Sequence, residues 1–100
     1  MRRISNLAFN QEFPEASGLS GIPADNRVRI ARDRANGFDR DAVGIWLEGF
    51  TGTPLGWLYR RDTNREVALQ KLDAGGEING HIEVRQRHGQ KPQKVVVFWL

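Results

Sequence analysis

The residues best equipped for chemistry are gathered in ANGFDRDAVGIW, residues 35–46. There a turn-forming Asn36-Gly37 pair is followed by Phe38, Asp39, Arg40 and Asp41, directly ahead of an apolar run. An aromatic ring on such a turn either plugs the edge of the core or is held out as a face on which something stacks. Asp39 likewise either caps backbone N–H groups of the turn or offers an acceptor to a ligand. Asp39 and Asp41 have the D-x-D spacing that can hold magnesium, yet Arg40 lies between them and no third carboxylate is near.

Other catalytic chemistry finds little support. The histidines are His81, on a predicted strand, and His88, in a predicted hairpin loop, and there is no cysteine. Thiol catalysis, cysteine-based zinc sites and disulfides are therefore excluded, and no metal-ligand spacing exists. Ser17 and Ser20 have no neighbouring histidine to activate them. GFTGTP, residues 49–54, lacks the lysine of a phosphate-cradling loop. No catalytic residue, metal or cofactor is expected.

What remains is a set of bases and rings on loops and strand faces, the combination by which single-strand binders follow a backbone and stack on bases. The charges are Arg27, Arg29, Arg32 and Arg34, then Arg60 and Arg61; the rings are Phe38 and Phe9. Tyr59, beside two arginines, is open to either role. Trp46, Trp57, Phe98 and Trp99 lie within predicted strands and are expected in the core. Arginine supplies 12 of the 15 basic residues, which favours bidentate phosphate recognition, although a GC-rich genome gives the same bias. The net charge of +3 says little about partners.

One hundred residues, 39% hydrophobic and 27% charged, can build one core without staples. No apolar run is long enough to span a membrane. MRRISNLAFNQEF has two arginines without the apolar stretch of a secretion signal, so a soluble, cytoplasmic protein is expected. Six segments read as strands or near-strands: 4–9, 27–32, 43–47, 55–59, 78–86 and 95–100. In RVRIAR, Val28 and Ile30 face inward and Arg27 and Arg29 outward. In 78–86, Ile78, Ile82 and Val84 share one side, opposite His81, Glu83 and Arg85. VVVFWL asks to be covered on both faces. Residues 11–26 form a long loop whose Phe13, Leu19 and Ile22 fold back on the body. Residues 61–76 hold the one clear helix, with Thr63 and Glu66 as a capping box, Ala68, Leu69 and Leu72 as a narrow apolar face, and Gly75-Gly76 as the stop. Short strands around one or two short helices make a mainly β fold: a small OB-like, partly open antiparallel barrel.

The order of these residues resembles the HIRAN domain family. The resemblance rests on Arg32-x-x-x-Asn36-Gly37-Phe38-Asp39-x-x-Ala42-Val43, then Leu55-Gly56-Trp57-Leu58-Tyr59-Arg60, then the helix and Leu72-Asp73-Ala74-Gly75; it covers about residues 27–84. It implies an OB-like barrel that binds DNA, captures a single-stranded 3′ end in repair or replication-fork processing, and acts beside a helicase or nuclease; with no catalytic residue in the sequence, a non-enzymatic module is expected. Carried over, Phe38 stands at a base-stacking position and Asp39 where a carboxylate accepts from the terminal 3′-hydroxyl. Asn36 shapes the loop, Arg60 and Arg61 meet phosphate, and Phe9 is the candidate second ring, on a first strand lacking the family's glycine. Gly37 replaces a common proline, Phe38 a tyrosine, and Asp41 a frequent amide. The alternative is a protein-interaction or adaptor domain that keeps the fold without binding DNA ends, motivated by the modest net charge and by Asp41.

Overall fold

The computed structural model describes residues 1–13, 27–50 and 52–100. Leu19, Ile22, Ser17 and Ser20, and with them most of the expected long loop, lie outside the described residues. Six antiparallel strands run in the order β1 (Arg2–Phe9), β2 (Arg27–Arg32), β3 (Val43–Leu47), β4 (Gly56–Leu58), β5 (Ile78–Arg85) and β6 (Gln93–Trp99), with α1 (Thr63–Asp73) between β4 and β5. They pair as β1-β4-β3-β2-β5-β6 and the ring closes on itself. The mainly β, OB-like barrel expected from the sequence is therefore present, with one helix among the described residues and with the ring complete.

Closure depends on β1 having two partners. Its first half pairs with β6, from Arg2 opposite Trp99 to Asn6 opposite Val95. Its second half pairs with β4, from Leu7 opposite Leu58 to Phe9 opposite Gly56. A strand that changes partner midway must coil, and coiling is what bends a sheet into a barrel.

Alternation fills the interior. Val28, Ile30, Val43, Ile45, Ile78, Ile82, Val96 and Phe98 are buried together, while Arg27 and Arg29 point out. In β6 the run Val95 to Phe98 is buried on both faces, as its unbroken apolar sequence requires. Phe13 closes one end at 2% exposure, its ring 5.0 Å from that of Phe50. Asn10 fixes that corner: its Nδ2 donates to the Pro54 carbonyl at 2.9 Å and its Oδ1 accepts from Glu12 N at 3.0 Å. Val84, expected inward, is half exposed, since the β5–β6 hairpin runs on into the exposed Gln86–Gln93 segment.

α1 lies against the barrel through Asn64 and Ala68, its two buried residues. Asn64 Nδ2 donates to Ser5 Oγ at 2.9 Å and to the Ile4 carbonyl at 3.1 Å, so the contact has a polar centre. Leu69 and Leu72 pack beside it, half buried. The cap differs from expectation: Asp62, not Thr63, is the N-cap, and its Oδ1 accepts from Asn64 N at 2.9 Å. Asp62 still has extended backbone angles whereas Thr63 is already helical, and a cap must be the residue before the first helical one. The glycine stop holds. Gly75 adopts φ +86°, its N–H bonding Leu72 O and that of Gly76 bonding Lys71 O, the paired closure that left-handed glycine permits. Among the described residues, no helix is long and apolar enough to cross a membrane.

Candidate functional site

The β2–β3 connection, residues 33–42, is a pinned structure. Asp33 N donates to Ala42 O at 2.9 Å across its base, and Asp33 Oδ2 accepts from Trp57 Nε1 at 2.8 Å, fastening the loop to β4. Asn36 Oδ1 accepts two backbone N–H groups, from Phe38 at 2.8 Å and Asp39 at 3.1 Å. The amide side chain thus does locally what a turn-forming Asn does best, and its role in shaping the loop is visible directly.

Phe38 is 95% exposed, the most exposed large apolar residue described. Of the two explanations for a ring on a turn, plugging the core is therefore excluded. Beneath it, Asp39 is tied on both oxygens. Oδ1 caps the backbone N–H of Asp41 at 3.0 Å; Oδ2 receives Arg65 Nη2 at 2.8 Å and Arg60 Nε at 3.2 Å. Arg60 also donates from Nη2 to the Phe38 carbonyl at 3.0 Å. Burial pushes the Asp39 carboxyl up, but the Asp41 N–H and the Arg65 and Arg60 charges outweigh it and hold the group below its usual range. Asp39 is accordingly an anion across the neutral range.

The expected bases divide into two kinds. Arg32 grips Asp73 with two bonds of 2.8 Å and meets Asp41 Oδ1 at 3.0 Å. Those bonds raise the guanidinium pKa further, the Asp73 contact contributing most, and lower that of Asp73. Arg32 is thereby a clamp between β2, the loop and the end of α1, with its fork engaged. Arg34 and Arg61 are exposed and form no ion pair among the described residues. Arg60 lies between these extremes, its side chain 68% exposed although bonded to Asp39. A shallow cleft of about 400 Å³ runs beside the loop, lined by Arg60, Arg61 and Arg65 together with Asp41, Asp62 and Glu66.

Tyr59 is exposed beside this cleft's arginines. Phe9, expected as the second ring, is half buried and packs against the barrel core. It sits in β1 opposite Gly56, with most of its surface engaged in packing. Arg65 was not singled out from the sequence, although it makes the shortest contact with Asp39. Twenty-six residues separate the two, so no local spacing announces the pair. Trp46 and Trp99 also depart from expectation: they belong to the outside of the barrel, Trp99 being 46% exposed, and only Phe98 of that group is fully interior. Strand parity was the signal that could have found them, because Trp46 follows inward Ile45 and Trp99 follows inward Phe98. Among the described residues no group of three or more His, Cys, Asp or Glu could hold a metal ion.

In comparison with known proteins, no family model, no curated protein and no solved structure matches the chain.

Proposed function

We propose that this chain is a non-enzymatic module that binds single-stranded DNA and captures its 3′-hydroxyl end, presenting that end to a helicase or nuclease acting on the same strand. The observation that carries the reading is Phe38, 95% exposed on a turn stiffened by Asn36, with an ionised carboxylate and three arginines around it. A ring carried on a backbone already fixed meets a nucleobase with little further ordering of the chain, and such a stack contributes about 1–3 kcal/mol. Asp39, an acceptor only, welcomes a terminal hydroxyl and repels a terminal phosphate. Its Oδ1 has taken one N–H, and a carboxylate oxygen has room for a second donor. Arg60 bonds the Phe38 carbonyl and Arg61 lines the same cleft, so these are the cations a backbone leaving the ring would meet first. The resemblance to the HIRAN family supports the same assignment of Asn36, Phe38 and Asp39, and the small antiparallel barrel is a common host for such sites.

The test is a titration of labelled oligonucleotides ending in 3′-hydroxyl or 3′-phosphate at several salt concentrations. Affinity falls with salt at a log–log slope of about −0.7 per phosphate contacted. The hydroxyl end binds more tightly, and Phe38→Ala weakens binding by about 1–3 kcal/mol without lowering stability. Equal affinity for the two ends removes the role of Asp39; no binding at low salt removes the reading altogether.

One observation favours the second reading, a protein-interaction module. Arg60 and Arg65 already match the Asp39 carboxylate, so that group is neutralised without a ligand. Unchanged DNA affinity in Phe38→Ala, together with loss of a protein partner in the same variant, decides for it.

A further inference from the structure

A second surface lies away from the 33–42 loop, on the outside of the barrel wall. A groove of about 1190 Å³ crosses β3, β2, β5 and β6. The strand registers define its floor. Trp46 stands opposite Arg29, and Arg29 opposite Asn79. Trp99 follows one step beyond the Gly80–Phe98 pair, which brings it alongside Asn79. The row across the wall thus reads ring, cation, amide, ring, and spans about 14 Å at about 4.8 Å per strand.

Each member is set for contact. The Trp46 indole lies over Gly44, where a Cβ would come within 2.8 Å of its Nε1, so glycine is what lets the ring lie down along the sheet. That Nε1 is buried and has no partner among the described residues, which leaves the ring's face as its working surface. Trp99 is braced by His81, ring centroids 5.5 Å apart, and His81 in turn meets Glu83 at 3.3 Å. Glu83 is also approached by Arg2 and Arg85, so its charge is compensated in place. Arg27 and Arg29, by contrast, have no ion pair among the described residues.

We propose that this outer wall is a track for the body of a single-stranded nucleic acid, independent of strand ends. Bases lie on Trp46 and Trp99, Arg29 and Arg27 follow the backbone, and Asn79 offers both a donor and an acceptor to a base edge. The choice of ligand class rests on the reading above; the choice of residues does not. A second copy of the chain suits the groove less well. A two-fold contact would set this patch against its own copy. Of the two carboxylates lining the groove, Glu48 and Glu83, the second is already matched. Each copy would therefore bring two arginines against one carboxylate that lacks an ion pair among the described residues.

The test uses a covalently closed single-stranded circle, which has no end to capture. Wild-type protein binds it at low salt. Arg29→Ala and Trp99→Ala each weaken binding at least about fivefold, and Trp99→Phe, which keeps a flat ring, retains most of the affinity. Arg29→Ala also reduces the salt slope by about 0.7. Arg29→Ala leaves the preference for 3′-hydroxyl over 3′-phosphate on linear strands intact. Arg29 is exposed, so its variant keeps the fold, as a melting curve checks. Failure of end discrimination with circle binding retained removes the end reading and supports this one. Unchanged circle binding in both Arg29→Ala and Trp99→Ala, or no circle binding at all, overturns the track. A concentration-dependent dimer abolished by Trp99→Ala overturns it in favour of a second copy.

Discussion

The loop of residues 33–42 and the outer wall of the barrel use the same ingredients, rings and arginines, in opposite ways. At the loop the ring is free and the charges nearest it are tied: Phe38 is almost wholly exposed while Asp39 holds Arg60 and Arg65, with Arg34 and Arg61 left without ion pairs among the described residues. On the wall the rings are partly settled into the surface, and Arg27 and Arg29 make no ion pair among the described residues. Tied charges fix geometry, which suits recognition of a single atom such as a terminal hydroxyl. Untied charges along an open groove tolerate sliding, which suits an uninterrupted backbone. The difference teaches that counting bases near aromatics says less than asking which bases already have partners.

The contrast breaks most completely if the barrel itself fails. Phe98 is fully buried within β6, and Phe98→Ala should cost about 3–5 kcal/mol in denaturant unfolding. Both surfaces should then be lost in one transition. Separate transitions would mean that the loop and the wall are not carried by one cooperative barrel. A sharper separation comes from Asp39→Asn, which leaves Arg65, with its side chain only 12% exposed, facing an amide instead of an anion. A stability loss of about 1–2 kcal/mol is expected, with faster amide exchange in residues 36–41 and none in β5. The smallest effect is acid titration of the same group. Asp39's carboxyl pKa lies below its unfolded value, so its contribution is complete above about pH 4 and disappears as pH falls through the lowered value. Phe38 resonances should therefore hold constant from neutral pH down to that range and move only below it. Movement near pH 5 would mean that the guanidinium pairing is weaker than its geometry implies.

Most of the barrel was legible because strand alternation is a local property. RVRIAR gave its inward and outward residues correctly from period alone, and VVVFWL gave the double burial of Val95 to Phe98 but not the exposure of Trp99. The helix cap was misread by one residue, since the T-x-x-E spacing describes a cap and not the point where the backbone turns helical. At the site, the exposed ring and its stiffening asparagine were readable from a run of four residues. What was hidden are the long-range ties: Arg65 to Asp39, Trp57 to Asp33 and Arg32 to Asp73 join residues 24 to 41 positions apart. Phe9 shows the converse. A ring near a strand end looks available in sequence, but the opposing Gly56 and the adjacent core settle where most of its surface goes.

In β1 the two seams meet end to end, residues 2–6 pairing with β6 and residues 7–9 with β4. Through β4 the strand adjoins Trp57, which fastens the loop; through β6 it adjoins Trp99 on the wall. A tug on either neighbourhood is therefore felt along one eight-residue ribbon, and any fraying of its ends loosens one seam before the other. Residues 2–6 and 7–9 are thus two gauges on a single thread, each registering strain from a different side of the molecule.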